Sequence, residues 1–534
     1  MLVRDLRFRL ARRLARRGLP HEHYRQAGAR LVEGRTSFKY VIDEPCLDDP
    51  AVWLRNQELV RALADRAGAE PFVVEEPENG AALLGISSQG LRRLAQAVRD
   101  AAERQPLHVI ARFDNGRELN GLAYQQLGDD LEGLRSLGVF QNYRDTRTGR
   151  RYARRHACTI EAWDKDDSGG LLAPSLNARV SAVPVECREL DHVVPVHGMP
   201  MRTFAPLAEP DPFTVEFPID AVYLWVDGDD PHWRRRRAAR LESVGSTPDE
   251  ASLDAVRFEQ GDELRYSLRS LCRYAPWIRR IFLVTDQQRP AWLQEIPGEL
   301  DVIDHAQILP ASVLPTYNSH AITAAVHNIP GLSDRFLLFN DDVLFGRPVR
   351  AHRFFYSNGA TKFFTSRSAL PAVSPNADES PLVGARRRSQ ELIEKLTARR
   401  PNYGFKHTPV PFSRELLEEL ERELPAWRET LASPFRSAND IVPSWVHHYV
   451  GYDRSLCFPG DIKYSYFDIG DAQAVSRLRQ AFRKERPHVF CVNDVTEELI
   501  DGRSRHQALC EILEAAFPWP SPFENDRRGE HDSG

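Results

Sequence analysis

The chain has 534 residues, a length that suggests two to four domains at about 100–200 residues each. Its 42% hydrophobic and 28% charged residues are typical of globular cores and exclude overall disorder. The net charge of -5, from 71 basic and 76 acidic side chains, excludes a globally basic nucleic-acid binder. No window approaches the ~20 continuous apolar residues of a membrane-spanning helix.

The first 20 residues predict a basic amphipathic helix. Leucines repeat every four residues along one face, arginines cover much of the remainder, and Gly18 and Pro20 end the helix. Such a helix suits an anionic membrane surface, which would hold the protein peripherally on the inner face of the cell membrane. The alternative is a solvated helix docked on the protein itself. The segment lacks a following apolar core and cleavage site, so we do not expect a secretory signal.

Residues 21–210 predict an α+β region without a strong catalytic signature. Residues 51–105 have a helical pattern, and short strands are expected at 108–113 and 154–163. A weaker strand at 180–185 contains Pro184, which confines it to a sheet edge. Residues 207–212 (LAEPDP) are a plausible linker to a second unit. Seven scattered cysteines without a Cys-x-x-Cys pair favour a reduced, cytosolic protein.

Residues 211–520 predict a second domain of the α/β class with a mostly parallel sheet, because buried strands alternate with helices. The strands are expected at 219–226, 281–285, 302–303 and 335–339, and the helices at 261–274, 386–400 and 413–424. The polar residues 521–534 predict a disordered tail.

Paired carboxylates follow one of these strands, in the sequence Asn340–Asp341–Asp342. Ligands of open α/β sheets bind at the carboxyl ends of strands. Hard oxygen ligands suit Mg²⁺ or Mn²⁺, and such ions normally bridge to substrate phosphates. The alternative is an Asx turn that caps the next segment.

Trp225, Asp227 and Gly228 follow another strand in a similar way. A nucleotide base could stack on the indole, and the glycine lets the backbone approach a ligand. The alternative is a core tryptophan before a tight turn. On the helix at 261–274, Arg265, Arg269 and Arg273 form a ridge that either binds phosphate or is solvated and ion-paired.

His407 lies in a turn before a helix, where a general base could be held, although an isolated histidine in a turn is usually structural. The histidines of this half have no zinc-binding spacing such as His-Glu-x-x-His. They are His320, His327, His407, His447 and His448. The chain also lacks the P-loop, the dinucleotide-binding glycine motif and the Gly-x-Ser-x-Gly nucleophile motif, which argues against those enzyme classes.

Taken together, these segments resemble the Stealth family of sugar-1-phosphate transferases, which includes capsule polysaccharide phosphotransferases and the lysosomal-enzyme GlcNAc-1-phosphotransferase. The resemblance is carried by four segments, residues 219–233, 257–293, 314–346 and 487–494. The chain departs from the family pattern at Asp227 and Asp286, where many members carry Asn. It also has Thr323 where an acidic residue is common, which leaves open any role of that carboxylate.

The resemblance implies a Rossmann-like, GT-A-like catalytic domain that transfers a sugar-1-phosphate from a UDP-sugar to a glycan hydroxyl and releases UMP. It implies an Mg²⁺ or Mn²⁺ site, with His407 as general base and Arg436 on phosphate beside a catalytic Asp341. The implied metal ligands are Asp341, Asp342, Asn493 and Asp494. The implied substrate-binding residues are Trp225, Asp227, Gly228, Arg265 and Asn340.

Two alternative hypotheses stay open at this point, the first from a different class and the second from within the enzyme class. One is a non-catalytic protein that binds glycan or nucleic acid through its arginine patches. The other is an ordinary glycosyltransferase, which would release UDP instead of UMP. The paired acidic segments favour the transferase over a binding protein, because binding alone does not need them.

Overall fold

The computed structural model describes residues 20–33, 38–244, 262–369, 380–469, 471, 473–484, 486–493, 499–500 and 503–525. The predicted basic helix at 1–20 therefore lies outside the described residues except for Pro20. The chain divides into two compact units, Met1–Asp211 with Phe482–Lys484, and Pro212–Ala481 with Glu485–Gly534. In the described part of the chain, no helix combines the length and the apolar character that crossing a bilayer requires.

The first unit contains both helices and short strands. Its helices are α1 His21–Gln26, α2 Asp49–Arg66, α3 Ser88–Ala101, α4 Ala123–Gln126 and α5 Ala205–Ala208. Its strands are β1 Ala29–Glu33, β2 Phe38–Glu44, β3 Phe72–Glu75, β4 Leu83–Ile86, β5 His108–Phe113, β6 Glu118–Leu122, β7 Leu134–Phe140, β8 Tyr143–Asp145, β9 Arg151–Tyr152, β10 Cys158–Ala162, β11 Asp164–Lys165, β12 Leu171–Leu172, β13 Ala182–Val183, β14 His192–Val196 and β15 Met199–Thr203.

A six-stranded sheet in the order β3-β4-β10-β7-β5-β6 forms the centre of this unit. Helices α2 and α3 cover one face, where Leu63 and Leu94 share a buried cluster with Val109, Leu137 and Ile160 of the strands. Successive side chains of a strand point to opposite faces, so the residues between these core positions lie on the other face of the sheet.

The helical pattern predicted over residues 51–105 is wrong in its middle, where β3 and β4 separate α2 from α3. Their short apolar runs, buried against the sheet, are too brief to distinguish strand from helix by periodicity. The strand predicted at 154–163 is shorter than expected, because a 3₁₀ turn occupies Arg154–His156. The strand at 180–185 reduces to β13, which lies at the edge of a three-stranded sheet as Pro184 required.

The second unit has the remaining elements. Its strands are β16 Ile219–Leu224, β17 Ile278–Thr285, β18 Leu300–Asp304, β19 Arg335–Asn340, β20 Val343–Phe345, β21 Thr361–Phe363, β22 Thr365–Ala369, β23 Tyr403–Phe405, β24 Val410–Ser413, β25 Cys457–Pro459, β26 Tyr464–Asp468, β27 Val489–Asn493, β28 Leu499–Ile500 and β29 Arg503–Ser504. The remaining helices of the chain are α6 Pro231–Ser243, α7 Glu263–Tyr274, α8 Ser319–Ala325, α9 Pro381–Thr397, α10 Arg414–Glu423, α11 Pro425–Leu431, α12 Pro443–Asp453, α13 Ala474–Arg483 and α14 Arg505–Ala516.

The central sheet of the second unit has the order β18-β17-β16-β19-β24. Strands β18, β17, β16 and β19 run parallel, and β24 joins the edge antiparallel to β19, so the sheet is mixed. The buried carboxylate of Asp220 fastens the start of β16 to its neighbours, since it accepts hydrogen bonds from Arg279 at 2.8 and 2.7 Å and from the Ser333 backbone at 2.7 Å. The helices around this parallel core make the unit an α/β unit.

A smaller sheet has the strand order β20-β27-β26, and its first strand, β20, follows β19 in the chain. Strand β27 pairs antiparallel with β20 and parallel with β26, so it lies between them. Strand β20 follows the acidic turn after β19, and this sheet therefore connects that turn to the C-terminal part of the unit.

The C-terminal segment is ordered beyond the predicted start of the tail at residue 521. Phe523 is buried, and Glu524 accepts hydrogen bonds from Arg269 at 2.7 Å and from Arg265 at 2.5 Å. Burial alone would raise the pKa of Glu524, but the hydrogen bonds from Arg269, Ser521 and Arg265 lower it to about 2. The predicted tail therefore begins too early, because a polar composition did not reveal a carboxylate that pairs with α7.

Glu524→Gln should lower the free energy of unfolding of the second unit by roughly 3 kcal/mol, because it removes one partner of a buried ion pair. The Arg269 and Glu524 side chains are only 2% and 3% exposed. Chemical denaturation at pH 7 measures this loss. Because the pKa of Glu524 is lowered, its stabilisation should be present above about pH 4.3 and lost as the pH falls towards 2. Glu429→Gln, which breaks the more exposed pair with Arg388, is the control and should cost at most ~1 kcal/mol. Equal losses of unfolding free energy in the two variants would contradict the conclusion that Glu524 fastens the C-terminal segment to α7.

Candidate active site

Two turns meet at the carboxyl edge of the central sheet. Turn A is residues 225–230, which follow β16. Turn B is residues 340–342, which begin at the last residue of β19. Leu224 pairs with Asn340 in the parallel register, so the two turns start side by side. This is the edge at which open α/β sheets bind ligands.

Turn A is held by Gln288, from the loop after β17, and by Arg234 of α6. The Asp227 backbone N–H donates to Gln288 Oε1 at 2.9 Å, and Gln288 Nε2 donates to the Asp227 carbonyl at 2.8 Å. The Asp227 carboxylate accepts the Asp229 N–H at 2.9 Å, which is an Asx turn. Arg234 donates to the carbonyl of the buried Gly228 at 2.5 Å. Trp225 is half-buried, with its backbone N–H on the Val284 carbonyl at 3.1 Å.

Turn B carries an unpaired buried carboxylate oxygen. Asp342 Oδ2 accepts a hydrogen bond from the Cys491 thiol at 3.1 Å, whereas Oδ1 is buried with no hydrogen-bond partner among the described residues. Burial, followed by the charge of Asp341, raises the pKa of Asp342 to about 7. An acidic pair in this state can accept a cation, which would supply the missing interaction of Oδ1.

Helix α7 and strand β27 fix the backbone on either side of turn B. Ser267 donates to the Val343 carbonyl at 2.5 Å, and Ser270 accepts the Phe345 N–H at 3.0 Å. The Val492 N–H donates to the Asp342 carbonyl at 3.0 Å. The position of Asp342 is therefore set by secondary structure on both sides, which suits a ligand that must be preorganised.

Strand β26 joins turn B to His407. Tyr466 pairs with Cys491 across the parallel strands, and its ring lies 5.8 Å from the His407 ring. Tyr464 lies close to the backbone of His407, and its pKa is raised by burial, by the neighbouring Cys491 and by the charge of Asp342. Two tyrosines thus link the predicted base to the acidic turn.

The imidazole of His407 is kept neutral by its surroundings. The residue has an exposed surface, but surrounding protein atoms desolvate the ring and lower its pKa below 6.5, and the charge of Arg386 lowers it further. Arg386 is half-buried over the Trp445 ring at 6.0 Å, and it forms no ion pair with a carboxylate of the described residues. Burial without a counter-ion lowers the pKa of Arg386 as well.

Arg436 is a second half-buried arginine of this kind. Its Nε and Nη2 donate to the Ser319 hydroxyl at 3.1 and 2.6 Å, and within the described ranges it has no carboxylate partner. The preceding Phe435 stacks on Tyr317 at 5.5 Å, and Tyr317 contacts Trp233 at 5.3 Å. This aromatic cluster also includes Val226 of turn A, so the Arg436 loop packs beside that turn.

These contacts form a continuous circuit, which we call the active-site ring. A Cβ on Gly384 would lie 2.5 Å from the Ala438 Cβ, and this close approach brings α9, with Arg386, against the loop that follows Arg436. The ring runs through turn A, turn B, strands β27 and β26, His407, Arg386 and Arg436. The segments it connects carry the predicted site residues Trp225, Asp227, Gly228, Asn340, Asp341, Asp342, His407 and Arg436.

The arginine ridge of α7 has a different environment. Arg265 pairs with Glu524 and lies 5.8 Å from the Trp292 ring, Arg269 pairs with Glu514 and Glu524, and Arg273 lies over Trp519. The ion-paired interpretation is therefore confirmed for Arg265 and Arg269, whereas Arg273 contacts an aromatic ring. Arg265 does not join the ring, since its guanidinium already has a buried carboxylate partner.

The last two predicted metal ligands lie at the limit of the described residues. Asn493 ends β27, where its backbone pairs with Asp468. Its side chain and all of Asp494 lie outside the described residues. Their predicted role as ligands stays a prediction.

The buried group His447, His448 and Cys457 has three candidate metal ligands within 4.8 Å of one another. The two Nδ1 atoms are 3.2 Å apart, and His447 Nε2 accepts the Ser413 N–H at 3.1 Å. A metal on His447 Nδ1 would force the proton onto Nε2, where it would face another N–H donor. The hydrogen bonds therefore favour a structural role, in which His447 links His448 to the Ser413 backbone, over a metal site.

Sequence reasoning missed Cys491, Tyr464, Tyr466 and Arg386. Cys491 lies two residues before Asn493. Predicting a strand over residues 489–493 would have placed both side chains on the same face of the sheet and so drawn attention to Cys491. The tyrosines alternate along β26, which is the usual signal that both lie on one face. Arg386 has no local signal in this arginine-rich chain, because its importance depends on the absence of a paired carboxylate.

Comparison with known proteins places four parts of the ring in conserved sequence regions, whereas Arg386 and strands β26 and β27 lie outside them. Residues 217–245 match Stealth protein CR1, conserved region 1; residues 257–363 match CR2, conserved region 2; and residues 406–452 match CR3, conserved region 3. Turn A lies in the first region, turn B in the second, and His407 and Arg436 in the third.

The similarity to curated relatives extends well beyond these regions. The exopolysaccharide phosphotransferase SCO6023 of Streptomyces coelicolor is 36% identical over 499 residues, covering 89% of this chain and 82% of the relative. The exopolysaccharide phosphotransferase CpsY of Mycobacterium tuberculosis is 38% identical over 336 residues, 62% of each chain. This chain belongs to the Stealth family, and it is a phosphotransferase enzyme.

Solved structures show only a distant likeness. The apo form of mouse xyloside xylosyltransferase 1 aligns with 52% of this chain and 98% of its own length, at 13% identity and a TM-score of 0.25. The glycosyltransferase GlyE of Streptococcus pneumoniae aligns with 58% and 66%, at 10% identity and a TM-score of 0.25. The α/β assignment above rests on the strands and helices of this chain instead.

Arg386→Gln should raise the pKa of His407 towards 6.5, because a positive charge that disfavours imidazolium formation is removed. Burial remains, so the shift should be partial. Histidine-selective NMR of the ring carbon protons measures the titration, with a His407→Asn sample to assign the signal. Arg387→Gln, on the next residue and paired with Glu391, is the matched control and should leave the titration unchanged. An unchanged His407 pKa in Arg386→Gln would show that Arg386 does not act on this ring.

Proposed function

We propose that this phosphotransferase moves a hexose-1-phosphate or N-acetylhexosamine-1-phosphate from a UDP-sugar to a glycan hydroxyl. UMP is released, and the product is a phosphodiester in a capsule or other cell-surface polysaccharide. The names of the Streptomyces and Mycobacterium relatives support sugar-phosphate transfer in exopolysaccharide synthesis. The donor nucleotide and the released nucleotide belong to the proposal.

The observation that carries this proposal is the unpaired Oδ1 of Asp342 beside Asp341, in one ring with two arginines that lack carboxylate partners among the described residues. An acidic pair and arginines of this kind are complementary to a metal-bound diphosphate. A protein that only binds glycan has no need for a buried uncompensated carboxylate, which costs stability. The arrangement therefore favours phosphoryl transfer over simple binding.

A divalent cation fits the donor set of turn B. Asp341 and Asp342 would hold Mg²⁺ or Mn²⁺, with Asn493 and Asp494 as further ligands, since all four residues supply hard oxygen atoms. Such an ion, when bound, neutralises charge on the phosphates and orients them. The unpaired Oδ1 is the feature of this chain that supports a cation at turn B.

The side chains of the ring divide the remaining tasks. Trp225, Asp227 and Gly228 would contact the nucleotide, with Asn340 nearby on turn B, and Arg436 would hold a phosphate oxygen. Arg386 is suited to the same task, because its guanidinium lacks a carboxylate partner among the described residues. Interactions aimed at the phosphates are effective because phosphoryl transfer depends mainly on positioning and electrostatic stabilisation.

His407 would act as general base on the acceptor. Its neutral imidazole takes the proton of the acceptor hydroxyl as that oxygen bonds to the β-phosphorus of the donor. The bond between this phosphorus and the bridging oxygen breaks, and UMP leaves with the electron pair. The sugar-to-phosphate bond is untouched, so the anomeric configuration of the donor is retained.

The proposed location is the cytoplasm, where UDP-sugar donors are expected, with peripheral contact to the inner face of the cell membrane. The membrane contact rests on the basic helix predicted for residues 1–20, most of which lies outside the described residues. We propose no nucleic-acid partner, in keeping with the net charge of -5.

Asp342→Asn should abolish acceptor-dependent turnover and weaken Mn²⁺ binding, because it removes the charge of a ligand without changing its size. Turnover is measured with a panel of UDP-sugars, and Mn²⁺ binding by electron paramagnetic resonance of the full chain. Asp301→Asn is the matched control, since Asp301 lies on β18 and pairs with Arg280. Full turnover of Asp342→Asn, or of wild type in excess EDTA, would contradict the metal assignment.

His407→Asn should lower kcat by ~10²–10⁴-fold, because the amide can hydrogen-bond but cannot accept a proton at neutral pH. The affinity for UDP-sugar should stay near wild type, since the ring faces the acceptor in this proposal. The wild-type acidic limb of kcat should lie below pH 6.5, as the lowered pKa of His407 requires. A stable His407→Asn enzyme with near-normal kcat would eliminate the base role and direct attention to His320, His327, His447 and His448.

A further inference from the structure

The first unit has a groove on the face of its six-stranded sheet that α2 and α3 leave uncovered. The groove encloses about 480 Å³, within the ~300–1,000 Å³ typical of ligand clefts. Its floor is formed by neighbouring strands: Gly138 of β7 pairs with Ile110 of β5 and with Thr159 of β10. Core side chains alternate with these positions, so the groove and the hydrophobic core lie on opposite faces.

Small side chains keep this groove open. Besides Gly138, the lining includes Gly80, Ala81, Ser136 and Ala157. A Cβ on Gly138 would meet Ala157 and Ile110 at 3.5 and 3.6 Å, which is ordinary contact, so packing does not require a glycine here. The small residues therefore leave space above the sheet where larger β-formers would have filled it.

The wall of the groove carries an excess of positive charge. Arg112 and Arg154 both line it, and they share one carboxylate, with Arg112 3.1 Å and Arg154 3.2 Å from Glu118. Arg155 lines the same groove. Two guanidinium groups on one carboxylate leave a net positive charge, and arginine matches the planar oxygens of phosphate and carboxylate.

We propose that this groove binds the phosphodiester-linked glycan that serves as acceptor and accumulates as product. The inference rests on the proposed function, because sugar-1-phosphate transfer gives the polymer one negative charge per phosphodiester. Sparse charges along a sugar chain are complementary to a groove with a few arginines and a floor of mostly small residues. The groove would thus recognise the polymer in the first unit of the chain, whereas the donor is proposed to bind in the second unit.

The lining favours a glycan over single-stranded nucleic acid. Proteins that bind single strands stack bases on aromatic side chains, and proteins that bind duplexes neutralise many phosphates with a broad basic surface. The groove is lined by Ile110 and small polar or apolar residues, with no aromatic ring among its lining residues. A few charge-assisted contacts to a flexible phosphoglycan match this composition.

The test measures binding to the full chain by isothermal titration calorimetry. The probe is a synthetic tetramer of hexose-1-phosphate units joined by phosphodiesters, compared with the neutral tetrasaccharide and with an oligothymidylate of equal phosphate number. The Arg112→Ala/Arg154→Ala variant should bind the probe at least ~10-fold more weakly. Binding should also weaken as salt shortens the Debye length from ~30 to ~8 Å.

Arg92→Ala/Arg93→Ala is the matched control, because it removes the same charge from exposed positions of α3 on the helix-covered side. This variant should bind the probe like wild type. Arg112→Lys/Arg154→Lys keeps the charge and should retain part of the affinity. Thermal unfolding curves that match wild type establish that the variants are folded.

The proposal is overturned if the phosphodiester tetramer does not bind, or if it binds the Arg112→Ala/Arg154→Ala variant as tightly as wild type. Equal binding of the neutral tetrasaccharide would overturn recognition of charge, and equal or tighter binding of the oligothymidylate would assign the groove to nucleic acid. Asp342→Asn separates this test from that of the reaction, since it should lose turnover and keep tetramer binding. If Arg112→Ala/Arg154→Ala loses tetramer binding but keeps normal turnover on a monosaccharide acceptor, the groove binds the polymer and takes no part in the reaction itself.

Discussion

The acidic pair of turn B, in which one carboxylate oxygen of Asp342 is buried and unpaired among the described residues, is the physical constraint around which the candidate site is arranged. Two carboxylates, Asp341 and Asp342, follow a buried strand. The Cys491 thiol donates a hydrogen bond to Asp342 Oδ2, and the buried Oδ1 has no hydrogen-bond partner among the described residues. Burial and like charge oppose ionisation and raise the pKa of Asp342 to about 7. The folded chain holds this unfavourable arrangement because strands β19, β20 and β27 and helix α7 fix the backbone around it. A bound cation, as proposed above, would offset this cost.

The positive groups of the ring complement this constraint. Arg386 and Arg436 are half-buried and have no carboxylate partners within the described residues, which favours the proposed contact with an anion. Elsewhere in the same unit, Arg236, Arg265, Arg269 and Arg279 each have a carboxylate partner. Burial and the charge of Arg386 lower the pKa of His407, so its imidazole is neutral at neutral pH.

Much of the second unit could be predicted from the sequence, and the reasons are local. Strands β16, β17 and β19 are continuous apolar runs, and each ends in polar turn residues, so both the strands and the position of Asn340–Asp342 follow from hydrophobicity. The roles of His407 and Arg436 came from family resemblance, since neither turn has a distinctive spacing. Long-range pairing was beyond sequence reasoning: nothing in residues 521–525 reveals that Glu524 pairs with Arg269, and nothing near Arg386 reveals its proximity to His407. The strands β3 and β4 were missed because short apolar runs fit a helix as well as a strand.

The central claim is that this ring transfers a sugar with its phosphate. The most direct test is to identify the nucleotide and the linkage formed from a UDP-sugar labelled at the β-phosphorus, in the presence of a glycan acceptor and Mg²⁺ or Mn²⁺. We expect UMP as the released nucleotide and a ³¹P resonance of a phosphodiester in the glycan that contains the label. Release of UDP, with the label in the nucleotide and none in the glycan, would contradict it and identify an ordinary glycosyltransferase.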